Sequence, residues 1–169
     1  MYFLGLDVGS SSVKAALVEA KSGKSIQSVH EPKNEMSISS LKNDWAEQDP
    51  NAWWKYTCAA IKRVCKESNI DPKKIISIGI SYQMHGLVIV DKNGAPLRDS
   101  IIWCDSRAVN IGNNAYEKLG EDKCMSHLLN SPGNFTASKL KWVKENEPDV
   151  YEKIHKYMLP GDFIAYKLT

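Results

Sequence analysis

Residues 2–8, "YFLGLDV", are apolar except at Asp7, and residues 12–20 alternate, with Val13, Ala15 and Leu17 set against smaller or more polar neighbours. The pattern predicts two strands joined at Gly9-Ser10-Ser11. "KSGK" at 21–24 makes a second turn and "SIQSVHE" a third strand, so three antiparallel strands open the chain. The polar stretch 32–48 has no sustained period and reads as a loop. In "DPNAWWKYTCAAIKRVCKESN", Asp49 offers a cap and Pro50 fits the first helical turn, which predicts a helix. Trp54, Cys58, Ile61 and Cys65 recur along it at helical spacing and are its expected buried stripe. Asp71-Pro72 repeats the capping signal before "KIISIGIS", a continuous apolar run of the kind buried on both faces of a sheet. "LVIVDKNGAPLRDSIIWCDSR" predicts two strands joined at Asn93-Gly94. Beyond residue 107 the pattern is mainly helical; "ASKLKWVKENEP" is the clearest helix and stops near Pro148. "YMLPGDFIAYKLT" starts as a strand and continues as a short helix after Pro160. No repeat, low-complexity tract or linker divides the chain, which therefore reads as one α/β unit.

Length and charge narrow the function. The 169 residues suffice for one domain or for one lobe of a larger molecule. With 22 basic against 20 acidic residues, and no basic run interleaved with aromatics, a nucleic-acid partner is not expected. Cys58, Cys65, Cys104 and Cys124 form no CxxC pair and have no metal-ligand spacing with His, so they read as reduced thiols of a cytoplasmic protein. Asp7 interrupts the apolar start and no basic segment precedes it, which argues against a secretory signal. No stretch reaches the roughly 18 apolar residues of a membrane span, so no membrane partner is expected.

The first turn carries the first candidate chemistry. Gly9, Ser10, Ser11 and Ser12 leave backbone N–H groups uncovered by bulky side chains and add hydroxyl donors, a composition that can cradle a phosphate. This is not the GxxxxGK[ST] loop, because Lys14 falls inside the second strand. A carboxylate beside phosphates is repulsive unless a divalent cation lies between them, and Mg²⁺ takes one or two carboxylates in that role. Asp, Gly and Ser also close ordinary hairpins, and locally both readings stand.

Five ordered stretches favour the phosphate reading: "GLDVGSSSVKAAL" at 5–17, "WAEQDPNAWW" at 45–54, "GISYQMHGLVIVD" at 79–91, "IIWCDSR" at 101–107 and "FTASKLKWVKENEP" at 135–148. Together they resemble the FGGY family of sugar kinases over essentially the whole chain. The resemblance implies an actin-like, ribonuclease H-like ATPase fold, α/β with a mixed sheet and helices on both faces. It implies ATP and Mg²⁺ as cofactors and a small-molecule sugar, foremost the ketose D-xylulose, as substrate; a homodimer stays open. Family members are about three times as long, so residues 1–169 would be the N-terminal portion of the first, sugar-binding domain. The nucleotide-binding domain and the general-base Asp would then lie outside this chain, leaving it inactive alone.

By matching motif, Asp7 resembles the family's metal-associated acid and Gly9, Ser10, Ser11 and Ser12 its phosphate-approaching loop. Met84, His85 and Gly86 of "QMHG" resemble the ketose contacts. Trp103 offers an apolar face that can stack on the sugar or pack in the fold. Asp105 and Arg107 read first as an ion pair shaping the pocket and second as hydroxyl contacts. Trp45, Glu47, Trp53, Trp54 and Trp142 read as anchors, and Lys139 as part of a solvated helix face. Two departures stand out: Asn134 near a usual Gly, and Ser138 in place of Pro. The resemblance leaves open a sugar-sensing relative without catalysis; an actin-like or chaperone-type ATPase has no evident use for "QMHG" followed by "WCDSR".

Overall fold

A computed structural model describes residues 1–169. Where the sequence shows no linker, the backbone groups into two compact units: Met1–Ser37 with Pro50–Gln83 and Pro160–Thr169, and Ile38–Asp49 with Met84–Leu159. Each unit is assembled from separated segments, which is why no single boundary is visible along the chain.

The first unit is a four-stranded mixed sheet in which β1 (Tyr2–Val8) lies between β2 (Val13–Glu19) and β5 (Ile75–Tyr82), with β3 (Ser25–Glu31) on the far side of β2. Strands β1, β2 and β3 form the expected antiparallel series. Helix α1 (Pro50–Glu67) crosses over to β5, which runs parallel to β1 with Gly5 opposite Gly79. Before β5, Asp71 caps a short 3-10 turn by accepting from the Lys73 amide at 3.0 Å. Alternation along the strands sends Leu4, Leu6, Ala15, Leu17 and Val29 to one face, where Ala60, Val64 and Cys65 of α1 and Leu168 of the last helix, α6 (Pro160–Leu168), close the core. The opposite face of β1 presents Phe3, Gly5 and Asp7.

Two expectations for this unit are corrected. The inward stripe of α1 is Trp53, Thr57, Ala60, Val64 and Cys65, so of the expected Trp54, Cys58, Ile61 and Cys65 only Cys65 is buried, Ile61 packs partly against the core, and the stripe as a whole is displaced by one residue. Ala60 and Thr57 bring the helix backbone close to the sheet, a contact that bulk alone in the pattern does not reveal. And β5 is not buried on both faces: it is an edge strand, Ile76 is 52% exposed, and Ile78 is also exposed.

In the second unit the ladders are short. Strand β4 (Glu47–Gln48) pairs with β7 (Ser100–Ile101), and β6 (Val88–Val90) with β8 (Lys156–Met158). The expected turn at Asn93-Gly94 forms, with the Gly94 amide donating to the Asp91 carbonyl at 3.0 Å. Its two arms meet only in bridges, because each spends its ladder bonds on another strand. The core gathers Leu87, Ile89, Ile101 and Val143. Around it lie α2 (Val109–Leu119), α3 (Glu121–His127), α4 (Thr136–Asn146) and α5 (Pro148–Tyr151). Gly112 of α2 abuts the turn at Pro132–Asn134 so closely that a Cβ would sit 2.3 Å from the Gly133 Cα; only glycine fits there. No helix is long and apolar enough to cross a membrane.

Candidate functional site

In the first unit, Asp7 sits at the end of β1, opposite Lys14 on β2. Its side chain is 48% exposed, and its ion pair is a 3.4 Å contact with an exposed Lys14 Nζ. Such a pair contributes at most about 1 kcal/mol, so the carboxylate can exchange its partner for a ligand at little cost. The turn after it is tight: the Gly9 amide donates to the Ser12 carbonyl at 3.0 Å, and a Cβ on Gly9 would lie 3.1 Å from that oxygen. The Ser11 carbonyl accepts from the Met36 amide at 2.8 Å, which ties the turn to the segment after β3. Ser11 is exposed, and Ser10 and Ser12 are partly so. No group of three or more His, Cys, Asp or Glu side chains forms a metal cage in this chain. A single reachable carboxylate is the donor set Mg²⁺ accepts when phosphates and waters supply the remainder.

In the second unit, Met84 is exposed, His85 half-buried and Gly86 buried. His85 has φ of 59°, a left-handed conformation that costs a residue with a side chain roughly 1–3 kcal/mol. Its ring stacks on Phe135, centroids 4.8 Å apart and planes 19° off parallel. Burial, and secondarily the charge of Lys139, pushes the imidazole pKa below its ordinary value, so the neutral ring prevails at pH 7 with one nitrogen donating and the other accepting. Thr136 Oγ1 donates to the Gly86 carbonyl at 3.3 Å.

Trp103 is 46% exposed, and its carbonyl accepts from Asn134 Nδ2. Asp105 is 1% exposed and wholly committed inside the fold: its carboxylate accepts from the Ala46 amide at 2.6 Å and the Arg107 amide at 2.9 Å, and it pairs with Arg107 Nη2 at 2.7 Å. The Arg107 guanidinium lies 3.7 Å from the Trp45 ring centroid and 4.9 Å from that of Trp142, and it also pairs with Glu47, which holds Arg98 as well. Asp105 and Arg107 thus form the ion pair that their spacing suggests, framed by Trp45, Trp142 and Glu47.

Lys139 overturns its expected place on a solvated face: it is 0% exposed. Its Nζ donates to the carbonyls of His85 at 2.8 Å and Asn134 at 3.0 Å. Desolvation lowers its pKa to about 8. Sequence reasoning missed Lys139, Phe135 and Thr136 as partners of "QMHG". The signal was available, because Lys139 lies four residues before Val143, on the inward stripe of α4. The two departures are accommodated here too: Ser138 is buried and donates to the Pro132 carbonyl at 2.7 Å, and Asn134 secures Trp103.

Comparison with known proteins identifies the family. Residues 2–169 match the N-terminal domain of the FGGY family of carbohydrate kinases. The chain is 36% identical over 166 residues to the xylulose kinase of Staphylococcus epidermidis, covering 98% of this chain and 32% of that protein. It is 34% identical over 173 residues to the xylulose kinase of Bacillus subtilis, with 99% and 33% covered. The crystal structure of a xyloylose kinase from Brucella ovis superposes with a TM-score of 0.85 at 33% identity, over 98% of this chain and 34% of that one. A gluconate kinase from Lactobacillus acidophilus gives 0.83 at 26%, over 98% and 32%. The chain therefore spans about a third of the length of the relatives it matches. Its sheet and helices are those of the actin-like ATPase fold, and by sequence and structure alike the chain belongs to the FGGY family of carbohydrate kinases.

Proposed function

We propose that the full-length protein is a cytoplasmic enzyme that transfers the γ-phosphoryl group of ATP to a terminal hydroxyl of a ketose, D-xylulose foremost, giving D-xylulose 5-phosphate. The observation that carries this reading is the His85 turn: a costly left-handed backbone presents a neutral imidazole beside an exposed Met84, in a chain about one-third identical to xylulose kinases.

In this reading His85 donates to one sugar hydroxyl and accepts from another, while Met84 and Trp103 cover apolar C–H surface and Gly86 keeps the backbone low. Asp105 and Arg107 contribute shape, since their polar atoms are already spent inside the fold. Asp7 would help to hold Mg²⁺, and Gly9, Ser10, Ser11 and Ser12 would approach the transferring group with amides and hydroxyls. Mg²⁺, when bound, neutralises charge that builds on the phosphate oxygens. Because phosphoryl transfer has a loose transition state, positioning and charge neutralisation dominate, and a general base accepts the hydroxyl proton late. Asp7 is not that base; we assign the base, like most of the nucleotide site, to sequence outside these residues, so the 169-residue chain alone is inactive.

The test is ADP formation coupled to D-xylulose, measured for the full-length protein and for this chain. Turnover by the former alone supports the reading. Ketose-dependent turnover by the chain alone overturns the fragment assignment, and a full-length protein inactive on pentuloses, hexuloses, polyols and gluconate overturns the kinase assignment.

A further inference from the structure

Lys139 is placed where a charge is costly. It is fully buried, and it lies in the first turns of α4, where the helix dipole disfavours a cation. Neither cost is offset by a carboxylate in hydrogen-bond contact: its two bonds go to main-chain carbonyls, those of His85 and Asn134. These belong to two different segments. One is the left-handed residue of "QMHG", and the other precedes α4 and secures Trp103 through its own side chain. The same junction is reinforced by the Phe135 ring on the His85 imidazole and by Thr136 on the Gly86 carbonyl. Three residues from the head of α4 thus converge on two successive residues of the turn.

We propose that Lys139 is a positioning residue for the ketose site: its side chain clamps the His85 main chain to Asn134 and so sets both the imidazole of His85 and the indole of Trp103. The inference rests on the reading that His85 and Trp103 contact the ketose. Lys139 itself touches no substrate. The charged and titratable groups facing it are Asp105, Cys104, Arg107 and His85.

The test uses Lys139→Met in the full-length protein, with D-xylulose and ATP as varied substrates. Loss of the two charge-assisted bonds should raise KM for D-xylulose at least about tenfold, and KM for ATP should stay within about twofold. Because an ammonium donates to the two carbonyls more strongly than the neutral amine, the wild-type KM for D-xylulose should climb as pH rises through about 8, and this inflection should vanish in the variant. Stability should move the other way. A lysine pKa depressed in the fold means that the unfolded chain binds more protons between about 8 and the ordinary 10.4, so wild-type stability gains relative to the variant across that window. A merely structural lysine would leave the KM for D-xylulose flat with pH.

A second measurement needs no turnover. With ¹³C at the histidine carbonyls, the His85 resonance should titrate near pH 8 in the wild type and not in Lys139→Met. A protein that phosphorylates no ketose sinks the kinase reading; an active protein whose D-xylulose KM ignores both the substitution and pH sinks this one. A His85 carbonyl that does not titrate near pH 8 overturns the clamp whether or not the protein is active.

Discussion

The turn between β1 and β2 and the frame around Arg107 both concentrate charge, and they treat it in opposite ways. Asp7 stands half in water with one distant lysine. Asp105, buried, accepts two amides and a guanidinium that is itself held between two tryptophans. A carboxylate of the first kind can release its partner and take a ligand; one of the second kind cannot be disturbed without leaving charge buried alone. Substitutions in the first region should therefore damage turnover and spare stability, and those in the second should do the reverse.

The largest expected effect tests the second half of that contrast. Arg107→Ala leaves the buried Asp105 carboxylate without its guanidinium, and Glu47 with Arg98, and should lower unfolding free energy by about 3–5 kcal/mol in urea titrations; a loss below about 1 kcal/mol would mean that the frame is dispensable. Next, Asp7→Ala in the full-length protein should reduce kcat by roughly 10²–10³, the scale on which removing a positioned electrostatic group acts. Its melting temperature should remain within about 2 °C of wild type, because exposed pairs contribute little. A large fall in melting temperature would erase the distinction between the two regions.

His85 sits between these extremes. His85→Asn should raise KM for D-xylulose by about tenfold through lost hydrogen bonding. It should also flatten an acid-side slope in stability. Since burial keeps the folded imidazole below its ordinary pKa, the unfolded chain takes up a proton first, and wild-type stability should decline as pH drops below about 6.5. Paired urea titrations at pH 7.5 and 5.5 check this. The smallest effect is expected for Lys14→Met, which should change stability by less than about 0.5 kcal/mol.

The same contrast explains how much was legible. The turn between β1 and β2 is written in consecutive residues: Asp7 through Ser12 specify strand end, turn and donors with nothing distant required, and β1 to β3 and α1 fall where the hydrophobic pattern puts them. The surroundings of His85 and Arg107 are assembled from residues far apart in sequence, with Ala46, Glu47, Asn134 and Lys139 joining them only after folding. "QMHG" could be recognised, whereas the lysine that supports it is passed over despite its place on the inward stripe of α4, because charge is ordinarily a sign of solvent and here two carbonyls receive the ammonium. The one-residue displacement of the α1 stripe has a similar origin. Trp53 and Trp54 are adjacent and equally bulky, so the pattern alone does not decide which of them faces inward, and Ala60 is passed over beside the larger Ile61.

The free border of the sheet bears on how the chain behaves when made by itself. "IISIGISY" is eight residues without a charge, hydrogen-bonded on one side only, with Ile76 and Ile78 facing outward. An uncharged border of that kind is a template for further strands, and the flanking Lys73 and Lys74 guard its entry. Expressed without a covering strand, the protein should accumulate as fibrous or insoluble material, and a single lysine at position 78 should do more for its solubility than any change to its core.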